Sequence, residues 1–250
     1  MQINPETAKY FFFESVTSTN DFAKELLSED ELVIVSALHQ SKGRGRNTNK
    51  WYGSYGNNIY VSIGINHKSD ISTLDLAVLQ AVGSLAVKNT LCKLANQDLF
   101  KIKYPNDVYA LHQNVYKKIS GILIEHSFAG SKCISSVVGI GINVNENSFP
   151  PELKSTAVSL SKIGILSNIQ EIKQELIDNF FVLLTNYDDR KLFDIWTKEL
   201  NLENKDINVL GKDKKYRLSK FLDDGRIELI DNNNNKITID NGDSVRYSFD

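Results

Sequence analysis

The sequence predicts an α+β fold: a mixed β-sheet flanked by helices in residues 1–200, then a small β-barrel in residues 201–250. Three observations carry this reading. Strand candidates near residues 100–109, 115–128 and 137–145 carry small or polar interruptions at comparable places, as a sheet facing a ligand on one side would. Stretches with helical spacing of apolar residues fall between and after them. Beyond about Asn201 the texture changes to short alternating strands separated by turns. At 250 residues the chain can hold one sizeable core and a small appendage.

Taken in order, Tyr10-Phe11-Phe12-Phe13 reads as an aromatic strand, and Ser18 followed by Asp21 reads as a capping box opening a short helix with Phe22, Leu26 and Leu27 on its apolar face. Free N–H groups at that helix start, beside Ser18, Thr19 and Asn20, also suit a polar ligand head. Leu32-Val33-Ile34-Val35 and Asn58-Ile59-Tyr60-Val61-Ser62-Ile63 read as buried strands. Ser72 with Asp75 opens a core helix carrying Leu74, Val78, Ala81, Leu85 and Cys92.

Phe100 to Tyr104 alternates as a strand, and Pro105-Asn106-Asp107 is a turn or bulge that re-aims side chains. Val115 to Phe128 contains Gly121, with Lys117-Lys118 at its start; a solvated strand edge is the ordinary fate of such a lysine pair. Val137 to Asn145 carries Gly139 and Gly141 and ends in Asn143 and Asn145. After Pro150-Pro151 one helix starts at Ser167 with Gln170 as its capping partner, and another runs from about Arg190 to Leu200.

The two buried strands around residues 32–63 bracket the stretch Gln40-Ser41-Lys42-Gly43-Arg44-Gly45-Arg46, followed by Trp51. Glycines let backbone approach a ligand, and arginine forks suit carboxylate or phosphate oxygens. A solvated basic hairpin loop or a nucleic-acid contact shares that composition. The segment has no apolar anchor before Trp51, so packing alone leaves it mobile.

Net charge is -2 and the pI is about 6.1, against a protein whose main task is gripping nucleic-acid phosphates. Cys92 and Cys133 are the only cysteines and the four histidines are scattered singly, so no metal-ligand spacing appears and the thiols read as reduced. No apolar run reaches the roughly 18–20 residues a bilayer needs, and no signal-peptide order opens the chain. The expectation is a cytoplasmic protein without membrane attachment.

The ordered set Ser18-Thr19-Asn20, Gln40 with Gly43-Arg44-Gly45-Arg46 and Trp51, Lys103-Tyr104-Pro105-Asn106-Asp107, Lys117 to Glu125, and Gly139-Ile140-Gly141-Ile142-Asn143 resembles the biotin protein ligases. The resemblance implies a class II synthetase-like catalytic domain with an SH3-like C-terminal barrel. It also implies an ATP-dependent ligase that makes biotinyl-5'-AMP and transfers biotin to a lysine of a biotin carboxyl carrier protein. Because the pattern begins within the first twenty residues, the expected type is ligase-only, without a DNA-binding domain and without DNA as partner. Two departures stand out: Asn47-Thr48-Asn49 where the family usually has glycine and arginine or asparagine, and Tyr104 where tryptophan is usual and an aromatic wall is expected.

By the same resemblance, Lys118, Arg44 and Asp107 are the catalytic candidates, with Asp107 to orient or deprotonate the incoming lysine or simply to cap its turn. Biotin contacts fall to Ser18, Thr19, Asn20, Gln40, Gly43, Arg44, Gly45, Arg46, Trp51, Lys118, Gly121 and Gly139. ATP and adenylate contacts fall to Arg44, Arg46, Asn106, Lys118 and Asn143. Mg²⁺ is expected with the ATP phosphates, held mainly by phosphate oxygens and water; no dedicated protein metal site is expected. An exposed sheet edge is compatible with a homodimer. The competing readings are a lipoate or octanoate ligase of the same superfamily, whose substrate lacks a ureido edge, and a non-catalytic nucleic-acid-binding module using Arg44, Arg46, Tyr52 and Tyr55.

Overall fold

The computed structural model describes residues 3–47 and 49–249. A seven-stranded mixed sheet is built from β1 (Lys9–Val16), β2 (Leu32–Gln40), β3 (Asn58–Asn66), β4 (Phe100–Lys103), β5 (Asp107–His112), β6 (Val115–Ala129) and β7 (Lys132–Asn143). Their order is β1-β2-β3-β7-β6-β5-β4, with β1 and β2 parallel and the other neighbours antiparallel. The β-branched runs of β2 and β3 are buried on both faces, which is why their sequence reads as continuous rather than alternating. β5 went unseen in the sequence because the turn at Pro105 hides the return strand; Lys103 pairs directly with Asp107.

α1 (Thr19–Leu26) connects β1 to β2 and packs Ala23 and Leu27 with Val33, Val35 and Val137 on one face of the sheet. The expected capping box is not made: Ser18 is the N-cap residue but its side chain makes no capping bond, and the Asp21 carboxylate is drawn away to Arg44. On the other face lies α2 (Thr73–Ala95), which opens with the predicted box. Ser72 Oγ accepts from the Asp75 N–H at 3.2 Å, and Asp75 accepts from the Ser72 N–H at 2.6 Å. α3 (Ile169–Asn186) and α4 (Asp189–Leu200) back α2. The cap of α3 is Asn168, not Ser167, because its side chain reaches the Gln170 N–H at 2.8 Å.

The C-terminal strands are β8 (Ile207–Val209), β9 (Lys215–Phe221), β10 (Ile227–Asp231), β11 (Lys236–Ile239) and β12 (Val245–Arg246), an antiparallel sheet in the order β11-β10-β9-β8-β12. Its inner residues, Ile207, Tyr216, Ile227 and Leu229, join the same hydrophobic core as Leu192 and Trp196 of α4. Tyr104 belongs to this joint. It is buried, its hydroxyl donates to the Gly225 carbonyl at 3.1 Å, and its N–H donates to the Tyr247 hydroxyl at 2.7 Å. Tyr104 does not line the cavity on the face that carries α1, which corrects the expected aromatic wall; its ring packs 6.3 Å from that of Trp196, and it ties the end of β4 to the C-terminal sheet. Among the described residues, no helix is long and apolar enough to cross a membrane.

Alternation along β6 and β7 divides their side chains between the two faces. Ile122, Val138, Ile140 and Ile142 enter the core. Gly121, Gly139, Gly141 and Asn143 turn to the face that carries α1, where a cavity opens.

Candidate active site

The cavity measures about 320 Å³ and takes its walls from the start of α1, the end of β2, the loop after it, the mouths of β5 to β7, residues 149–157 and Asp243 of the turn Gly242–Ser244. Ser18, Thr19, Asn20, Gln40, Arg44, Gly45, Arg46, Trp51, Asp107, Lys118, Gly121, Gly139 and Asn143 all line it. Gly43 and Asn106, predicted as contacts, do not. Gly43 holds the loop's shape, since a Cβ there would lie 2.9 Å from the Trp51 carbonyl. Asn106 is buried and donates to the Ile122 carbonyl at 2.6 Å, so its amide secures the turn after β4 rather than facing the cavity. Thr48 lies outside the described residues.

At one end the wall is made of uncharged polar side chains, Ser18, Thr19, Asn20 and Gln40, backed by the ion-paired carboxylate of Glu125. The Thr19 N–H donates to Gln40 Oε1 at 2.8 Å, and Thr19 Oγ1 lies 3.1 Å from the same oxygen. Asn20 donates to Glu125 Oε2 at 2.7 Å, and Lys24 donates to Glu125 Oε1 at 2.8 Å. Burial alone would raise the Glu125 carboxyl, but hydrogen bonds from Lys24 and Asn20 and the charges of Lys24 and Arg44 outweigh it and hold it below the usual carboxylate range. The absence of a Cβ at Gly139 makes room for Asn20, whose Oδ1 would sit 2.1 Å from such an atom.

The other end is charged. The Lys118 ammonium pairs with Asp107 at 2.8 Å and stands 5.6 Å from the centroid of the Trp51 ring. Strict alternation would send Lys118 and Gly121 to opposite faces. A bulge prevents this: Val108 faces Ser120 while Tyr109 faces Lys118, leaving Ile119 as the extra residue. The Lys118 backbone is held in turn by residues 156–158, donating to the Thr156 carbonyl at 2.8 Å and accepting from the Val158 N–H at 2.9 Å. This lysine is thus no solvated edge.

Arg44 takes a different place from the one its predicted role suggests. Its guanidinium is forked onto Asp21 at 2.6 and 2.7 Å and reaches Glu125 at 3.3 Å, so its side chain pins the loop to α1 and β6. The hydrogen bond from Arg44 lowers the Asp21 carboxyl below its ordinary value. Arg46 pairs with Asp243 from the turn before β12, and Asn47 donates to that carboxylate at 2.7 Å. Polar anchors therefore replace the apolar ones the loop sequence lacks. Trp51 ends the loop with its indole flat on β6 and β7: a Cβ on Gly121 or Gly141 would lie 2.7 or 2.6 Å from ring carbons. Its Nε1 is buried and has no hydrogen-bond partner among the described residues.

Sequence reasoning missed Ser62, Glu125, Asp21 and Asp243 as parts of this site. Ser62 did leave a signal, a lone hydroxyl inside the apolar run of β3, whereas Asp243 is exposed to no local pattern that marks it. Lys103 adds to the field at the charged end, its ammonium pushed below the usual lysine range by burial first and by Arg246 and Lys118.

Residues 12–143 match the Biotin/lipoate A/B protein ligase family. The chain is 34% identical over 155 residues to the bifunctional ligase/repressor BirA of Bacillus subtilis, an alignment covering 60% of this chain and 46% of that protein. It is 30% identical over 137 residues to the biotin–[acetyl-CoA-carboxylase] ligase of Mycobacterium tuberculosis, covering 53% and 46%. The chain thus spans about half the length of these relatives. Its fold superposes on a biotin protein ligase from Aquifex aeolicus in complex with biotin and ATP with a TM-score of 0.75 at 25% identity, covering 96% of this chain and 99% of that one.

Proposed function

The chain belongs to the Biotin/lipoate A/B protein ligase family, and from that premise we propose that it is an ATP-dependent ligase that activates biotin as biotinyl-5'-AMP and transfers it to a lysine of a biotin carboxyl carrier protein. One observation carries the choice of substrate: a neutral hydrogen-bonding end and a cationic end share one cavity. A ureido ring fits the first and a carboxylate beside a phosphate fits the second. The catalytic unit is taken as residues 1–200, with residues 201–250 as a C-terminal unit that contributes Asp243 to the cavity rim.

In the first half-reaction a biotin carboxylate oxygen attacks the α-phosphorus of ATP and pyrophosphate leaves. Two anions must meet, and Lys118 and Arg46 supply the positive charge that makes this tolerable. Ser18, Thr19 and Gln40 hold the ring, Asn20 and Gly139 shape its seat, and Trp51 with Gly121 flanks the tail. Asn143 is assigned to the adenine. Arg44, through Gly43 to Arg46, holds the loop against α1, a positioning task rather than direct contact of its guanidinium with phosphate. In the second half-reaction the carrier's lysine amine attacks the acyl carbon and AMP leaves; Asp107 orients the amine or takes its proton.

Mg²⁺ is part of this reading as the partner of the ATP phosphates. Among the described residues no cluster of carboxylates, histidines or cysteines is placed to hold a metal ion, and Asp107 and Asp243 are paired with Lys118 and Arg46, so Mg²⁺ would be held mainly by phosphate oxygens and water and would neutralise phosphate charge there. The reading puts the enzyme in the cytoplasm, in keeping with two free thiols, Cys92 and Cys133. The test is exchange of labelled pyrophosphate into ATP, with transfer to a carrier domain scored by mass. Biotin-driven exchange and a single labelled lysine are expected. Exchange driven by lipoate or octanoate but not by biotin overturns the assignment in favour of the sister activity.

A further inference from the structure

Glu146 follows the end of β7 and is only 2% exposed, although it carries a charge. Uncharged groups hold its carboxylate. Oε2 accepts from the Ser54 N–H at 2.8 Å and from Asn58 Nδ2 at 3.0 Å, and Oε1 accepts from Ser54 Oγ at 2.9 Å. Asn58, the first residue of β3, turns its Oδ1 the other way to accept from the Val144 N–H at 3.1 Å. The Glu146 carbonyl accepts from Ser159 Oγ at 2.8 Å. A buried carboxylate is costly unless its oxygens find donors, and here both oxygens do.

These contacts join two segments that reach the cavity from different sides. The loop after β2 places Trp51 and Tyr52 on the wall just before Ser54, and the chain around Glu146 places Asn143 and Phe149 there. Glu146 and Ser54 themselves do not line the cavity. Among the described residues, the hydrogen bonds that tie residues 52–55 to elements remote in sequence are the two from Ser54 to Glu146. Gly53 permits this approach, since a Cβ there would lie 1.8 Å from the Tyr60 hydroxyl. The position of the loop's end therefore follows that of Glu146.

We infer that Glu146 is a positioning residue that couples the two substrates: by clamping Ser54 to Asn58, it makes the end of the loop carrying Trp51 and the segment beginning at Asn143 one unit. This rests on the reading above, in which Trp51 flanks the biotin tail and Asn143 takes the adenine. A ligand that orders one segment then leaves the other less freedom to lose, so the second ligand binds more tightly. A carboxylate suits the task because it only accepts, which fixes the direction of all three bonds. Glutamine can replace it, with its oxygen in the place of Oε2 and its amide nitrogen donating to a Ser54 hydroxyl turned to accept; alanine cannot.

The experiment titrates the full chain with a non-cleavable α,β-methylene analogue of ATP and Mg²⁺, with and without saturating biotin, by calorimetry. In the wild type biotin should tighten the analogue by about tenfold or more. In Glu146→Ala that factor should fall below about threefold, while biotin binding without nucleotide changes by less than about threefold. Glu146→Gln should keep the wild-type factor within about twofold. Ser54→Ala removes one of the three bonds at a half-buried position and should lower the factor by about two- to threefold. Thermal melting of each variant accompanies the titrations. A wild type that binds neither biotin nor the analogue overturns the biotin reading and this inference with it. A wild type that binds both without mutual tightening, a Glu146→Ala factor within about twofold of wild type, or a Glu146→Gln factor as low as that of Glu146→Ala overturns the inference alone. Should Glu146→Ala melt below the assay temperature, an unchanged factor in Ser54→Ala overturns it instead.

Discussion

The Arg46 guanidinium and the Asp243 carboxylate, 197 residues apart in the chain, form an ion pair across the mouth of the cavity. The pair joins the loop after β2 to the turn Gly242–Ser244 before β12. Under the proposed function, Asp243 occupies on Arg46 the place an anionic ligand takes, so the two compete. Asp243→Asn should raise amide exchange over residues 41–50 of the free protein and tighten ATP binding in the presence of biotin by about two- to fivefold, the scale of a partly exposed ion pair. Hydrogen exchange and calorimetric titration measure both. Looser binding of ATP would show instead that Asp243 holds the ligand complex together.

Lys118 and Asp107 touch each other at 2.8 Å but should separate by half-reaction. Lys118→Ala is expected to slow adenylate formation by about 100-fold or more, the cost of removing a charge aimed at a developing anion. Asp107→Asn should leave that step within about threefold and slow transfer to the carrier lysine by about 10- to 100-fold. Single-turnover kinetics of each step decide it; equal losses in both steps for both variants would make the pair structural.

Trp51 is stacked on Gly121 and Gly141, where under the proposed function the biotin tail passes, and Gly141 has no side chain to resist it. Gly141→Ala should expel the indole, since a Cβ 2.6 Å from a ring carbon cannot be accommodated without movement of a large rigid group. Trp196 is fully buried in the core, so a red-shifted emission in this variant reports Trp51. A stability loss of about 1–3 kcal/mol is expected with it. Unchanged emission and melting would refute the packing.

His126 accepts or donates a hydrogen bond with Ser136 at 2.7 Å and faces His67 through that same hydroxyl. Burial, and to a smaller degree His67, push its pKa down from 6.5 to about 4. The folded form then binds fewer protons than the unfolded chain between these values, so stability is full above pH 6.5 and falls as the pH drops toward 4. The slope contributed by one proton is at most about 1.4 kcal/mol per pH unit. Denaturant unfolding from pH 7 to 4 should show this decline in the wild type and a flatter profile in His126→Gln; identical slopes would contradict the assignment.

Most of the site's inventory was legible because its chemistry is local in sequence. Ser18-Thr19-Asn20 at a helix start, Gln40 at a strand end, and the glycines of β6 and β7 each carry a local reason, a free N–H or a missing Cβ, that pattern reading can find. The misreadings share a cause. Ser18 with Asp21 has capping-box spacing, but a guanidinium from another segment offers Asp21 a stronger, charge-assisted partner than a backbone N–H. Asn106 sits inside a family motif, yet the turn at Pro105 directs its amide to a backbone carbonyl.

The sequence by itself determined the fold class, the order of the strands' polar interruptions and the family, because hydrophobic periodicity, turn chemistry and motif spacing are properties of neighbouring residues. Only the tertiary structure decided which charges meet: Arg46 with Asp243, Arg44 with Asp21 and Glu125, Lys118 turned to the cavity by the bulge at Ile119. It also brought Ser62 of β3, Thr19 and Asn20 of α1 and Gln40 of β2 within hydrogen-bond contacts of 2.6 to 3.1 Å. Ion pairs and hydrogen bonds act within a few ångströms in space whatever the separation along the chain, so their partners follow from packing and not from order in the sequence.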